Sequence, residues 1–182
     1  MDTDRPDMQM FFPPNIFSTG DEHHAFIADW YGNHLAAMEE PSLLELAHNP
    51  EAHVYRFLWL RTFHQPIAVR LMVEAGEKGM LVSKRLDGAG GYEPGNLVVN
   101  ETRPISAKQV ENWLSRLDDM RYWTMPTVEE GSVGVDGAQW IIEGVRNGKY
   151  HLVDRWNPDT GAFRDACLWL LSLADVPIDE IY

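Results

Sequence analysis

The sequence contains one cysteine, Cys167, so the chain can form no intramolecular disulfide. This usage fits a reducing compartment, and we expect a cytoplasmic protein. No apolar run approaches the roughly 20 residues of a membrane-spanning helix. The stretch from Met1 to Arg5 lacks the basic start and apolar run of a signal peptide. We therefore expect no association with a membrane and no export.

Basic residues are scarce, with 15 Lys and Arg against 28 Asp and Glu, a net charge of -13. Phosphate binding needs clustered Lys and Arg, so we expect no nucleic-acid partner. Residues 1–51 hold ten acids and one base, which is -9 of the total. These acids form either a solvated helical face or a docking surface for a basic protein. The residues of that docking surface would be Asp21, Glu22, Asp29, Glu39 and Glu40.

The chain has ample material for one hydrophobic core. Its 182 residues are 45% hydrophobic and include seven Trp, seven Phe and six Tyr. We expect a single domain over 1–182, with an irregular arm over 1–18 whose Phe11-Phe12 pair pins it to the body. An acidic helical segment over 19–48 follows, and then a sheet with two helices over 53–182.

Hydrophobic periodicity predicts the secondary structure. Apolar residues at helical spacing over 26–38 indicate an amphipathic helix, and a short helix follows at 43–47. Alternation predicts strands over 54–62, 66–74, 80–86, 96–102, 139–145 and 149–156. Further helices are predicted after Ser106 and after Asp159-Thr160. The order ααββββαββα predicts an α+β fold of about six mostly antiparallel strands, with helices packed on one face.

The last two strands form a hairpin around Asn147-Gly148, the pair favoured in a type I′ turn. Its polar residues Glu143, His151 and Asp154 suggest acid–base chemistry. The two-residue turn, however, places His151 on one side of the sheet and both carboxylates on the other. The same register sets Trp140 opposite Arg155, either as a cross-strand stabilising pair or as a binding patch.

A second candidate is an anion site. Arg61 and His64, with Arg70, fall around one strand end, and arginine binds carboxylates or phosphates bidentately. The alternative is that these arginines pair with the protein's own acids. A glycine-rich loop over 88–91 is followed by no Lys and no helix, so we interpret it as a flexible hairpin loop, with a loop that contacts the anion as the alternative. The residues of the alternative anion site are Arg61, His64, Arg70, Tyr92, Trp140 and Arg155.

Motifs for metal or nucleophilic chemistry are weak. His23 and His24 are adjacent, point about 100° apart on a helix and have no ligand four residues on. No GxSxG motif is present, and Cys167 shares an apolar stripe that keeps a thiol inert. We therefore expect no catalytic residue, no metal and no cofactor.

Three classes of function remain. The first, which we rank highest, is an intracellular non-catalytic protein-binding module, such as an inhibitor or immunity-type partner of a basic enzyme. The second is a protein that binds or acts on a small anionic molecule. The third is a homodimer of structural role that associates through exposed aromatics such as Tyr122 and Trp123.

Overall fold

The computed structural model describes residues 9–18, 20–75, 78–129, 134, 136–177 and 180–182. Its helices are α1 (Asp21–Ala37), α2 (Leu43–Leu46), α3 (Ala107–Asp119) and α4 (Ala162–Ala174). Its strands are β1 (His53–Arg61), β2 (Ile67–Val73), β3 (Gly79–Leu86), β4 (Leu97–Ile105), β5 (Ala138–Arg146) and β6 (Lys149–Trp156). The predicted element order is confirmed.

All six strands form one antiparallel sheet in the order β4-β3-β2-β1-β5-β6. The predicted α+β class is therefore confirmed. The first four strands are a meander, and β5 then joins the free side of β1. Asn147 and Gly148 both have positive φ, as a type I′ turn requires. The turn sets the predicted hairpin register, in which Trp140 pairs with Arg155 and Gly144 with His151.

The helices cover both faces of the sheet, not one face as predicted. Strand β1 is buried from Val54 to Arg61, so its two faces both need a covering layer. On one face, a core that contains Phe57 and Trp59 packs against α3 and α4. On the other face, Leu58 and Leu60 pack beneath α1. The three-layer arrangement follows from the apolar character of both faces of the central strand.

The arm is attached to the face that carries α1. Phe11 and Phe12 are buried, and the Phe12 ring meets Tyr31 of α1 edge-on at 6.2 Å between centroids. This confirms that the Phe pair holds the arm to the body. Residues 1–8 of the predicted arm, and Thr19 at the start of the predicted helical segment, lie outside the described residues.

Candidate functional site

The outward face of α1 presents an aromatic ring among acids. At about 100° per residue, Phe26 lies about 140° around the helix from the buried Tyr31, and close to Glu22 and Asp29. Phe26 is 66% exposed, and both carboxylates are exposed. Phe26 was predicted as part of the buried stripe. That prediction is wrong because only some of the apolar residues of α1, such as Tyr31 and Leu35, are on the face of the helix that contacts the sheet.

A second exposed aromatic pair lies beside α1, at one end of the sheet. Phe63 in the β1–β2 loop and Tyr92 in the β3–β4 loop are 59% and 62% exposed, with ring centroids 6.1 Å apart. Trp30 links this pair to α1. Its Nε1 donates to the main-chain oxygen of Gly90 at 2.7 Å, and its ring lies 6.3 Å from that of Phe26. We call Phe26, Trp30, Phe63 and Tyr92 the aromatic patch.

The glycine-rich loop that carries Tyr92 is packed and hydrogen-bonded, so its interpretation as a flexible loop is wrong. The Gly90 amide donates to His64 O at 3.0 Å, and the Gly91 amide donates to Thr62 O at 3.1 Å. A Cβ on Gly90 would lie 2.6 Å from the main chain of Arg61. Glycine is needed here for close approach of two backbones, which orders the loop beneath the patch.

The five acids proposed to meet a basic partner are divided by the fold. Glu22 and Asp29 are exposed on α1, and Glu39 is exposed in the segment that follows. Glu40 is only 3% exposed, so its inclusion in a docking surface is wrong. The side chain of Asp21 lies outside the described residues. The exposed acid Glu93, next to Tyr92, joins the two α1 acids around the aromatic patch; we call Glu22, Asp29 and Glu93 the acidic rim.

Glu40 is buried because it neutralises cations that the strands bring beneath α1. Its carboxylate lies within 3.3 Å of Arg56, 2.9 Å of Arg70 and 3.1 Å of Lys84. Burial works to raise the pKa of Glu40, but these three cations hold it below its ordinary value. Sequence reasoning missed this role, since Glu40 looked like one more acid in an acidic segment.

The arginines predicted to bind an anion do not form one site. Arg70 faces the α1 side of the sheet and pairs with Glu40. Arg61 faces the other side, where its Nη1 donates to Glu180 O at 2.6 Å and its guanidinium lies 4.2 Å over the Trp59 ring. His64 lies near it, with Nδ1 2.6 Å from the Tyr182 hydroxyl. Pairing with the protein's own acids therefore describes Arg70, whereas Arg61 binds main-chain oxygens and the Trp59 ring.

Trp140 and Arg155 pair in the predicted register but do not stack. Trp140 is fully buried, so its interpretation as a contact residue is wrong. Helix α4 covers this face and places Arg164 5.1 Å from the Trp140 ring. Arg155 turns away, with Nε 2.9 Å from Glu129, and donates to the carbonyls of Pro126 and Thr127. The guanidinium of Arg155 therefore binds groups of the chain itself.

The polar residues of the β5–β6 hairpin are separated as the register predicts. His151 belongs to the face of Ile142 and Val153, whereas Glu143 pairs with Arg56 on the α1 side. Asp154 accepts a 2.8 Å hydrogen bond from the Tyr31 hydroxyl of α1. Burial raises the pKa of Asp154 to about 7. Asp154 is thus a docking contact for α1.

Tyr122, predicted as an exposed contact, is fully buried. Its hydroxyl donates to the carbonyl of His151 at 2.8 Å and lies 3.2 Å from the carbonyl of Ile142, which ties its 3₁₀ turn to the sheet. Among the residues that the structure describes, no group of three His, Cys, Asp or Glu side chains could hold a metal ion. No helix within the described ranges is long and apolar enough to cross a membrane.

Comparison of the chain with protein-family models, curated proteins and solved structures gives no match. The chemistry of the exposed surface is therefore the basis for assigning a function. Among the described residues, the aromatic patch and acidic rim bring together three of the most exposed large apolar side chains and three exposed carboxylates. Phe63 was missed at the sequence level because only the folded loops place it beside Tyr92.

Proposed function

We propose that this chain is a non-catalytic protein-binding module that binds a basic protein through the aromatic patch and acidic rim, in the manner of an inhibitor or immunity-type protein. The observation that carries the proposal is the set of exposed rings Phe26, Phe63 and Tyr92 bordered by carboxylates. Aromatic rings are enriched in interface hot spots, and their faces attract Lys and Arg side chains.

Contacts within the chain order the aromatic patch in the absence of a partner. Trp30 is fixed by its hydrogen bond to Gly90, and the loop below Tyr92 is tied to the β1–β2 loop by two main-chain hydrogen bonds. Ordered side chains and loops lose less conformational entropy when they bind. A preorganised aromatic patch with a rim of one charge is well suited to stable association with a complementary surface.

The charge of the rim favours a basic protein over a second copy of this chain. A symmetric contact through the aromatic patch would bring Glu22, Asp29 and Glu93 against the same carboxylates of the second molecule. Like charges across an interface cost free energy, and the net charge of -13 adds repulsion at long range. A cationic partner gains from the same charges, with an association rate that falls as salt rises.

The test is affinity capture with matched variants, read by quantitative mass spectrometry at low and high salt. One variant carries Phe26→Ala and Tyr92→Ala, and another carries Glu22→Gln and Asp29→Asn. The control carries Glu101→Gln and Glu111→Gln, two exposed acids away from α1. We expect one basic protein that the parent and the control retain, that salt elutes and that both site variants lose.

Equal capture by the parent and by both site variants would remove the proposal. All four side chains replaced in the site variants are exposed, so these variants should keep the parent's unfolding free energy. Circular dichroism and urea unfolding check this directly. Glu40 is left unchanged in every variant because its carboxylate pairs with Arg56, Arg70 and Lys84.

A further inference from the structure

Residues 180–182 lie across the ends of β1 and β5, on the face opposite α1. Two buried indoles point at this segment: Trp59 Nε1 and Trp140 Nε1 donate to the main-chain oxygen of Tyr182 at 3.3 Å and 3.1 Å. Both rings are fully buried. One oxygen therefore accepts hydrogen bonds from two neighbouring strands.

A third donor binds the segment two residues earlier. Arg61 Nη1 donates to the main-chain oxygen of Glu180 at 2.6 Å, and the guanidinium rests on the Trp59 ring. The oxygens that accept these hydrogen bonds belong to residues 180 and 182. Alternate residues of an extended peptide face the same side, so this spacing is typical of an extended segment bound along one side. Buried donors of this kind need an acceptor, since an unpaired buried N–H is costly.

The side chains of the segment are also recognised. The Tyr182 hydroxyl lies 2.6 Å from His64 Nδ1, and Glu180 Oε2 lies 3.4 Å from His64 Nε2. The side chain between them, Ile181, is 45% exposed. A cavity of about 320 Å³, lined in part by Phe63, Asp136 and Asn157, adjoins the segment. The contacts therefore select a Glu-x-Tyr pattern and leave the middle residue free.

We propose that Trp59, Trp140, Arg61 and His64 form a peptide-binding groove for an extended Glu-x-Tyr segment, and that residues 180–182 occupy it in cis. An incoming segment of the same chemistry competes with the attached one. A tethered segment acts at an effective concentration of roughly millimolar, so it weakens the apparent affinity for an external peptide. The four residues of the groove are not part of the aromatic patch, although Phe63 of the patch lines the adjoining cavity, and we infer the groove independently of the proposed basic-protein site.

The test uses the full chain and the synthetic peptide Pro-Ile-Asp-Glu-Ile-Tyr, the sequence of 177–182. Binding is measured by isothermal titration calorimetry to the parent and to a variant with Glu180→Ala and Tyr182→Ala. The variant keeps the chain length but loses the two side chains that contact His64. We expect it to bind the peptide at least about tenfold more tightly than the parent, because its own segment competes less.

The matched control is Ile181→Ala, whose exposed side chain should leave binding at the parent's level. We call the variant with Glu180→Ala and Tyr182→Ala the loosened variant. A peptide with Ala in place of Tyr should bind it at least about tenfold more weakly than the original peptide, since the contact with His64 is lost. If the loosened variant binds the peptide no better than the parent, the groove is not a peptide site.

A second measurement uses the parent chain, so the proposal can be tested even if the loosened variant folds poorly. In the parent, about 1 mM of the same peptide with a paramagnetic lanthanide tag at its N-terminus should shift the indole N–H signals of Trp59 and Trp140, which Trp→Phe variants assign, because the bound peptide brings the tag close to both rings. Unchanged signals for both indoles would overturn the proposal. Phe26→Ala should leave these shifts intact, so loss of the basic-protein site does not affect this test.

Discussion

Arg56 on β1 and Glu143 on β5 lie directly opposite each other in the strand register, and neither side chain is exposed. Arg56 Nε donates to Glu143 Oε2 at 2.9 Å. Glu40 approaches the same guanidinium from the segment after α1, at 3.3 Å from Nη1. With Arg70 and Lys84 the cluster holds three cations and two carboxylates, so its net charge is +1 and the loss of either acid raises it to +2.

We predict that Glu143→Gln lowers the free energy of unfolding by about 3–5 kcal/mol, because it breaks a buried ion pair and leaves Glu40 as the one carboxylate for the three cations of the cluster. Urea unfolding followed by circular dichroism measures the change. The control Glu101→Gln, at an exposed strand position, should stay within about 0.5 kcal/mol of the parent. A loss below about 1 kcal/mol for Glu143→Gln would show that the pair adds little to stability.

Asp154 should make stability depend on pH. Its pKa of about 7 lies above the value of 3.8 for an unburied Asp, so the folded state binds the proton more tightly than the unfolded state. The contribution is therefore complete below pH 3.8 and is lost as the pH rises towards 7 and above. Between pH 5 and pH 8 the loss is about 3 kcal/mol, from the integrated difference of the two titrations.

Asp154→Asn removes this titration and retains an acceptor for Tyr31. We expect its unfolding free energy, relative to the parent, to rise by about 3 kcal/mol from pH 5 to pH 8. Taking the difference at each pH cancels the opposite effect of His53, whose pKa burial lowers to about 4. Asp159→Asn, at an exposed position, is the control. A difference that stays constant with pH would contradict the assignment.

Gly90→Ala should disturb the loop that carries Tyr92. The added Cβ would lie 2.6 Å from Arg61 backbone atoms, a distance that requires the chain to shift. We expect a destabilisation of about 1–3 kcal/mol, measured by thermal unfolding, together with weaker partner capture. Gly32→Ala in α1 meets only Phe11 at 3.5 Å and should cost nothing. Equal stability of the two variants would show that the loop adapts freely.

Cys167 should be unreactive in the folded protein. It lies on the buried face of α4, within the core, and burial raises the pKa of its thiol well above the usual value. We expect a thiol reagent to label it only after denaturation, as mass spectrometry would show. Ser172→Cys, in a Cys167→Ala background, places a thiol at an exposed position of the same helix and should react within minutes. Labelling of native Cys167 at that control's rate would refute the prediction.

Local patterns in the sequence determined the elements and part of the pairing. Helical and alternating periodicities are set by the backbone geometry of each segment, so the order of helices and strands was predictable. Asn147-Gly148 determined the β5–β6 register, because a type I′ turn leaves no freedom in the pairing of the strands it joins. From that register alone, His151 could be separated from Glu143.

Only the tertiary structure decided which distant residues meet. Glu40 was indistinguishable in sequence from Glu39, yet the fold buries one against Arg56 and exposes the other. Phe63 and Tyr92 became neighbours because β1 and β3 both flank β2, and Arg61 meets Glu180 across 119 positions. Such contacts depend on strand order and on which face each helix covers. Strand order and the placement of the helices are set by the apolar surface that the whole chain buries. A local sequence pattern does not determine that total.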